Sequence, residues 1–152
     1  MRFSIFGQPQ RFQKVLREKP IRYLAAGFVL GMFIGLLPLG FNSIILLILF
    51  FSLRHDFFTA ILSAVIFSLL GFAIDPLAHT LGLAVLQAGF LQRLWIHIYN
   101  LPFLPFTGFN NTLVMGNVLI GIILTIPSIF SVKIFVNKYR SKNSADIKTE
   151  TP

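Results

Sequence analysis

The sequence contains no cysteine, only 5 acidic residues and 3 histidines, and these groups are scattered along the chain. Disulfide bonds, thiolate metal sites and cysteine nucleophiles are therefore excluded. The histidines and carboxylates show no His-x-x-x-His or similar metal-ligand spacing. A glycine-rich phosphate loop and a Gly-x-Ser-x-Gly motif are also missing from the sequence. We therefore expect no metal, no cofactor and no enzymatic activity.

Charged residues are also few. They make up 12% of the chain, whereas soluble domains average about 25%. Hydrophobic residues make up 55%, and the mean hydropathy is +0.79. So little polar surface cannot cover a water-soluble globule of 152 residues. The composition predicts a single-domain membrane protein, and its long apolar segments predict an all-α fold.

The positive charge lies at the two ends of the chain. The net charge is +8, with six Lys or Arg in residues 1–22 and five in residues 133–152. Only Arg54 and Arg93 lie between them. Two basic ends around an apolar body follow the positive-inside rule, which predicts that both termini are cytoplasmic. Nucleic-acid binding is the alternative for a basic chain, and the absence of a basic-aromatic groove pattern argues against it.

The charge distribution also divides the chain. Residues 1–22 form a basic segment in which Phe12, Val15 and Leu16 share one helical face. That pattern predicts an amphipathic helix at the membrane interface, with a solvated tail as the alternative. Residues 23–136 form a single helical membrane domain, and residues 137–152 form a basic tail that we expect to be disordered.

The first apolar stretch carries a glycine zipper, meaning glycines every four residues on one helix face: Gly27, Gly31 and Gly35. Such a face lets another helix approach closely. Pro38-Leu39-Gly40 then breaks the helix. The flanking segments Leu24–Leu37 and Phe41–Leu53 have 14 and 13 residues, so each falls short of a bilayer. They form either a re-entrant hairpin or two short spans.

Phe57–Ile74 follows, with 18 residues and no charge, and is the most regular spanning candidate. Its small residues Ala60, Ala64 and Ser68 form a second packing face. Asp75-Pro76 is expected to end this helix, with Asp75 as a cap of the next one. The alternative is that Asp75 and His79, four residues apart, form a buried polar pair, since ionisable residues at membrane depth tend to be functional.

The second half of the chain is less regular. Leu77–Leu91 is short for a span, and we interpret it as re-entrant or surface-lying, because an odd number of crossings would place the basic tail outside. Arg93–Leu101 carries the aromatic residues expected at a membrane interface. Leu113–Val132 provides 20 apolar residues for a further span. We therefore expect about four membrane-inserted helices.

Two loops resemble each other: Pro38-Leu-Gly40-Phe41-Asn42 and Pro105-Phe-Thr-Gly108-Phe109-Asn110. Each opens an apolar helix, and both helix N-termini would lie on one side of the membrane. Broken helices of this kind form substrate sites in transporters, and their N-termini would suit an anionic headgroup. The alternative is two unrelated helix caps. The predicted polar site comprises Asn42, Asp75, His79, Arg93, Asn110, Asn111 and Asn117.

Several separate motifs follow one another along the chain in the order found in a known family. They are the glycine zipper followed by Pro38 and Asn42, Asp75-Pro76-x-x-His79-x-x-Gly82, Tyr99-Asn100 and Phe109-Asn110-Asn111-Thr112-x-Val114-Met115-Gly116. Over about residues 20–135 they resemble a family of small bacterial inner-membrane proteins related to the domain of unknown function numbered 2062. That family has no established activity. The resemblance implies a bacterial inner-membrane location and, as partner, a larger protein of lipid-bridge type encoded beside it.

These observations favour a non-enzymatic subunit that packs with itself, as a homo-oligomer, or with a larger membrane-anchored partner protein, and that supports transport or lipid handling. Membrane lipids are further expected partners, and nucleic acid is not. A transporter or lipid translocase with a polar site between broken helices is the first alternative. A membrane enzyme that uses Asp75 and His79 is the second.

Overall fold

A computed structural model describes the backbone of residues 9–38 and 40–150 and the side chains of residues 14–38, 40 and 42–142. These residues form helices joined by short loops, with no strand in the described ranges. The helices are α1 (Pro9–Glu18), α2 (Ile21–Leu36), α3 (Phe41–Ser52), α4 (Phe57–Leu86), α5 (Gln92–Tyr99) and α6 (Thr112–Glu150), with 3-10 turns at Gly89–Leu91 and Leu104–Thr107. The expectation of an all-helical fold is confirmed for this part of the chain.

Helices α2, α4 and α6 form the core, and α3 packs at its edge against α2 and the Leu104–Thr107 turn. α2 and α4 run parallel, because Gly27 faces Asp56 and Gly31 faces Ala60, one turn further along both helices. α6 runs antiparallel to them. Its first turns contact the end of α4, and its later residues contact the start of α2. The central cluster of buried side chains consists of Met32, Leu36, Ala78 and Ile120.

The predicted break at Asp75-Pro76 is wrong, because α4 continues through both residues to Leu86. Leu77–Leu91 is therefore not a separate re-entrant or surface segment, since most of it is the second half of α4. Pro76 removes one backbone donor. Packing of Ala78 and Gly82 against α6 holds the two halves of the helix in line, and a tertiary contact of this kind overrides a local breaker.

The two ends of the chain also differ from expectation. α6 continues to Glu150, so the tail predicted to be disordered is helical over residues 137–150. No glycine or proline lies between Pro127 and the end of this helix to stop it. At the other end, Leu16 of α1 is 5% exposed because it packs with Leu24 and Val136. The apolar face of α1 therefore contacts protein, at least at this residue.

Two helices are long and apolar enough to cross a membrane, over Phe57–Leu86 and Thr112–Lys142. Their most apolar windows have mean hydropathies of 2.4 and 2.2, and only 17% of each window is buried. Core helices of water-soluble proteins are mostly buried, so burial does not explain this composition. Large apolar side chains are instead exposed along α3, α4 and α6, among them Ile48, Phe51, Leu69, Phe72, Ile123, Ile126 and Ile134.

Candidate functional site

The two small-residue faces predicted from the sequence meet each other within one chain. A methyl group built on Gly27, Gly31 or Gly35 would overlap a backbone carbonyl oxygen of Asp56, Ala60 or Ala64, respectively. Ser68 also contacts the Gly35 position. The glycine zipper of α2 therefore packs on the Ala60-Ala64-Ser68 face of α4, and this contact fixes the position of α2 along α4.

A second close approach joins the far half of α4 to α6. A methyl group on Gly82 would overlap the Thr112 carbonyl oxygen, and one on Gly116 would overlap the Ala78 carbonyl oxygen. These contacts bring Asp75 of α4 beside Asn117 of α6. The sequence motifs contained both glycines, but their spacing along the chain did not indicate that they face each other.

Asp75 and Asn117 border a cleft between α2, α4 and α6. The Nδ2 atom of Asn117 donates a hydrogen bond to Asp75 Oδ1 over 3.4 Å. Asn117 is 1% exposed, and its Oδ1 atom has no hydrogen-bond partner among the described residues. The cavity volume of the cleft is about 260 Å³. Its lining consists of Gly35, Leu36, Leu37, Pro38, Ser68, Gly71, Phe72, Asp75, Leu113 and Asn117.

The electrostatics of this cleft favour a positive ligand. α2 ends at Leu36 on the cleft wall, and the carbonyl end of a helix carries partial negative charge. Pro38 has no N–H with which to satisfy a carbonyl of the last turn. Asp75 adds a carboxylate, and it forms no ion pair with a described lysine or arginine. The first turn of α6 also borders the cleft at Leu113, but the anionic headgroup expected from two helix N-termini does not suit this wall, because the Asp75 carboxylate would repel it.

His79 does not pair with Asp75. Its Nδ1 atom lies 2.6 Å from Thr112 Oγ1 at the start of α6. The Asp75–His79 pair on which the enzyme hypothesis depends is therefore not formed. Within the described ranges, no group of three or more histidine, cysteine, aspartate or glutamate side chains is placed to hold a metal ion.

The remaining predicted polar residues do not line the cleft. Asn42 Nδ2 donates to the Pro38 carbonyl oxygen, and Asn111 Oδ1 accepts from the Leu113 N–H at the start of α6. Asn110 lines a separate groove with Trp95 and Tyr99. Arg93 is exposed on α5. The structure thus gives Asn42 and Asn110 different surroundings, and the local bonds of Asn42 and Asn111 are those of loop and cap residues.

The sequence did not indicate the ion pair of Asp56, the most buried carboxylate among the described residues. Asp56 is 1% exposed and caps α4, where its Oδ2 atom accepts bonds from the Thr59 N–H and Thr59 Oγ1. Lys19 Nζ forms an ion pair with Asp56 Oδ1 over 2.6 Å. Burial alone would raise the pKa of Asp56, but the hydrogen bonds from Lys19 and Thr59 together lower it below its ordinary value.

We expect acid to weaken the fold through Asp56. Because its folded pKa is lowered, the carboxylate stabilises the protein above the unfolded-state pKa of about 3.9, and this stabilisation disappears as the pH falls through the folded pKa. Thermal unfolding in detergent between pH 7 and pH 3 should show the loss. The Asp56→Asn protein should have a lower thermal midpoint than the wild type at pH 7, and its midpoint should fall less on acidification. If the thermal midpoint of Asp56→Asn fell with pH as much as that of the wild type, Asp56 would not be the cause of the acid sensitivity.

The described residues thus define an all-helical protein with two helices long and apolar enough to cross a membrane and with an acceptor-rich cleft among its core helices. Residues 10–145 match the family described as an uncharacterized protein conserved in bacteria, DUF2062. The chain belongs to this family, so the resemblance is confirmed and extends further at both ends than the motifs indicated. No curated protein and no solved structure matches the chain.

Proposed function

We propose that this chain is a multi-pass protein of the bacterial inner membrane with both termini in the cytoplasm. The observation that carries the proposal is the band of exposed apolar side chains around α3, α4 and α6. Contiguous apolar surface of this kind is rare on soluble monomers and is the normal lipid-facing surface of a membrane protein. Burial of only 17% of each spanning window supports the same conclusion.

The distribution of basic residues supports the orientation. Lys19 pairs with Asp56 at the start of α4, and Arg140 of α6 donates to the Leu16 and Lys19 carbonyl oxygens. These groups therefore lie at one end of the helix bundle. Arg93 lies beyond the other end of α4, on α5. An excess of Lys and Arg at one end identifies the cytoplasmic side.

Within the membrane, we propose a non-enzymatic role as a packing or partner subunit that supports transport or lipid handling. The carboxylate and histidine considered for catalysis have other partners, and this supports the absence of enzymatic activity. The partner would be a second copy or a larger membrane-anchored protein. Because the glycine zipper is already occupied by α4, such a partner would contact other surfaces, among them the exposed apolar face of α3.

Accessibility of single cysteines tests the orientation directly, since the natural sequence has none. Cysteines placed at Lys14 and Lys142 should react with a membrane-impermeant maleimide only after the cells are permeabilised. A cysteine at Asn100 should react in intact cells and serves as the control for labelling. Reaction at position 142 in intact cells would contradict the proposed topology.

A transporter or lipid translocase is the second candidate function. The observation that favours it is the cleft, where the Asp75 carboxylate and the unpartnered Oδ1 atom of Asn117 lie beside the C-terminal end of α2. A purely structural packing subunit has no need of such groups, because unpaired buried polar atoms are costly. This candidate predicts that the cleft binds a ligand.

A further inference from the structure

We propose that the Asp75–Asn117 cleft binds a primary ammonium group. This inference rests on the second candidate function and specifies the chemistry of its ligand. The first observation is Asn117 Oδ1, an acceptor without a partner on a side chain that is 1% exposed. A buried acceptor left unpaired destabilises the fold, so a bound donor would relieve this cost.

The orientation of the Asn117 amide follows from its neighbour. The Nδ2 atom must face Asp75 Oδ1, because the reversed amide would put an oxygen against a carboxylate. The oxygen is therefore the atom available for a ligand. Asp75 Oδ2 accepts no hydrogen bond from a described side chain, which adds a second acceptor with negative charge.

The C-terminal end of α2, which lies beside Asp75 and Asn117, is the third observation that favours a cation. The C-terminal turn of α2 reaches the cleft at Gly35 and Leu36, and its partial negative charge adds to that of Asp75. An ammonium carries three N–H donors and no acceptor, so it complements the Asn117 amide oxygen and the Asp75 carboxylate on this wall. A phosphate or carboxylate would be repelled by the same wall.

The size and position of the cleft favour a polyatomic ligand. A water molecule occupies about 30 Å³ in the liquid, so a cavity of about 260 Å³ has room for several heavy atoms beside the ammonium nitrogen. Asn117 lies about 8 Å along α6 from Thr112, the first residue of this helix. In the proposed topology this depth lies just inside the outer boundary of the membrane, where a lipid headgroup or a free amine can enter.

The test compares two lipids that differ in their N–H donors. The full-length protein is reconstituted into nanodiscs with equal amounts of phosphatidylethanolamine and phosphatidylcholine, and retained lipids are identified by native mass spectrometry. We expect about tenfold enrichment of phosphatidylethanolamine, the effect of one hydrogen bond to a charged group. Asp75→Asn should abolish the enrichment, whereas Asn110→Ala, a change in the separate groove, should retain it.

A second measurement identifies the source of the amine. In detergent with phosphatidylcholine only, ethanolammonium chloride should raise the thermal midpoint of the wild type, and tetramethylammonium chloride should not. A response to ethanolammonium without lipid enrichment would assign the site to a free amine. Equal retention of both lipids together with no ethanolammonium response would overturn the proposal, and so would an equal response to sodium chloride.

These outcomes remain distinct from a failure of the proposed function. A chain that does not belong in a membrane would give no stable nanodisc particle, whereas a wrong ligand assignment would give particles without lipid preference. The comparison of the two lipids on the wild-type protein needs no substitution, so it decides the question even where Asp75→Asn does not fold.

Discussion

Gly31→Leu is expected to lower stability more than any other change discussed for this chain. A Cβ atom at this position would overlap the Ala60 carbonyl oxygen and crowd Ser63, both on α4. Backbone cannot move aside as a flexible side chain does, so α2 would have to separate from α4. Overpacking of this kind costs about 3 kcal/mol or more. Thermal unfolding of the purified protein in detergent would measure the loss.

The chain offers matched controls for this prediction. A Cβ atom on Gly89 meets no heavy atom within 4 Å, so Gly89→Leu should leave the thermal midpoint nearly unchanged. Gly71 lies inside α4, and the nearest atom to its built Cβ is 3.8 Å away. Gly71→Ala should therefore stabilise the helix by about 0.5–1 kcal/mol, the usual difference between the two residues. A Gly31→Leu protein as stable as Gly89→Leu would show that the zipper faces lipid.

Asp56→Ala has the second-largest expected effect, a loss of about 3 kcal/mol. The substitution removes the cap of α4, worth about 1–2 kcal/mol, and the bond that the Thr59 hydroxyl donates to a charged group. Lys19→Gln removes only the ion pair. Because the Lys19 side chain is 47% exposed, its loss should amount to less than about 1 kcal/mol.

Thermal midpoints of the two single variants and of the double variant would separate these contributions. We expect the double variant to be only slightly less stable than Asp56→Ala, since both changes disrupt one interaction. Equal losses for the two single variants would contradict the assignment, because the stabilisation would then come from the ion pair and not from the cap.

Local chemistry allowed much of the fold to be predicted. The break at Pro38-Leu39-Gly40 separates α2 and α3 as expected, since α2 ends at Leu36 and α3 begins at Phe41. The same rule failed at Pro76. At that position, packing against α6 through Ala78 and Gly82 keeps the helix continuous. The rule considers one chain segment, whereas the outcome depends on a neighbour that is distant in sequence.

The cleft could not be predicted either, because it is formed by segments that are distant in sequence. Asp75 and Asn117 were both named from the sequence as polar residues in apolar surroundings, but no spacing rule relates residues that are 42 apart. Their contact follows from the close approach of Gly82 and Gly116. Lys19 was assigned to the basic interfacial segment of residues 1–22 and given no partner, because Asp56 lies 37 residues away.

We propose that α4 crosses the membrane once and separates the basic end of the molecule from the end that holds the cleft. Cysteines replacing Arg54 and Arg93, one before and one after this helix, test it most directly in intact cells. A membrane-impermeant maleimide should label position 93 and leave position 54 unlabelled until permeabilisation. Labelling of both positions, or of neither, before permeabilisation would contradict the account.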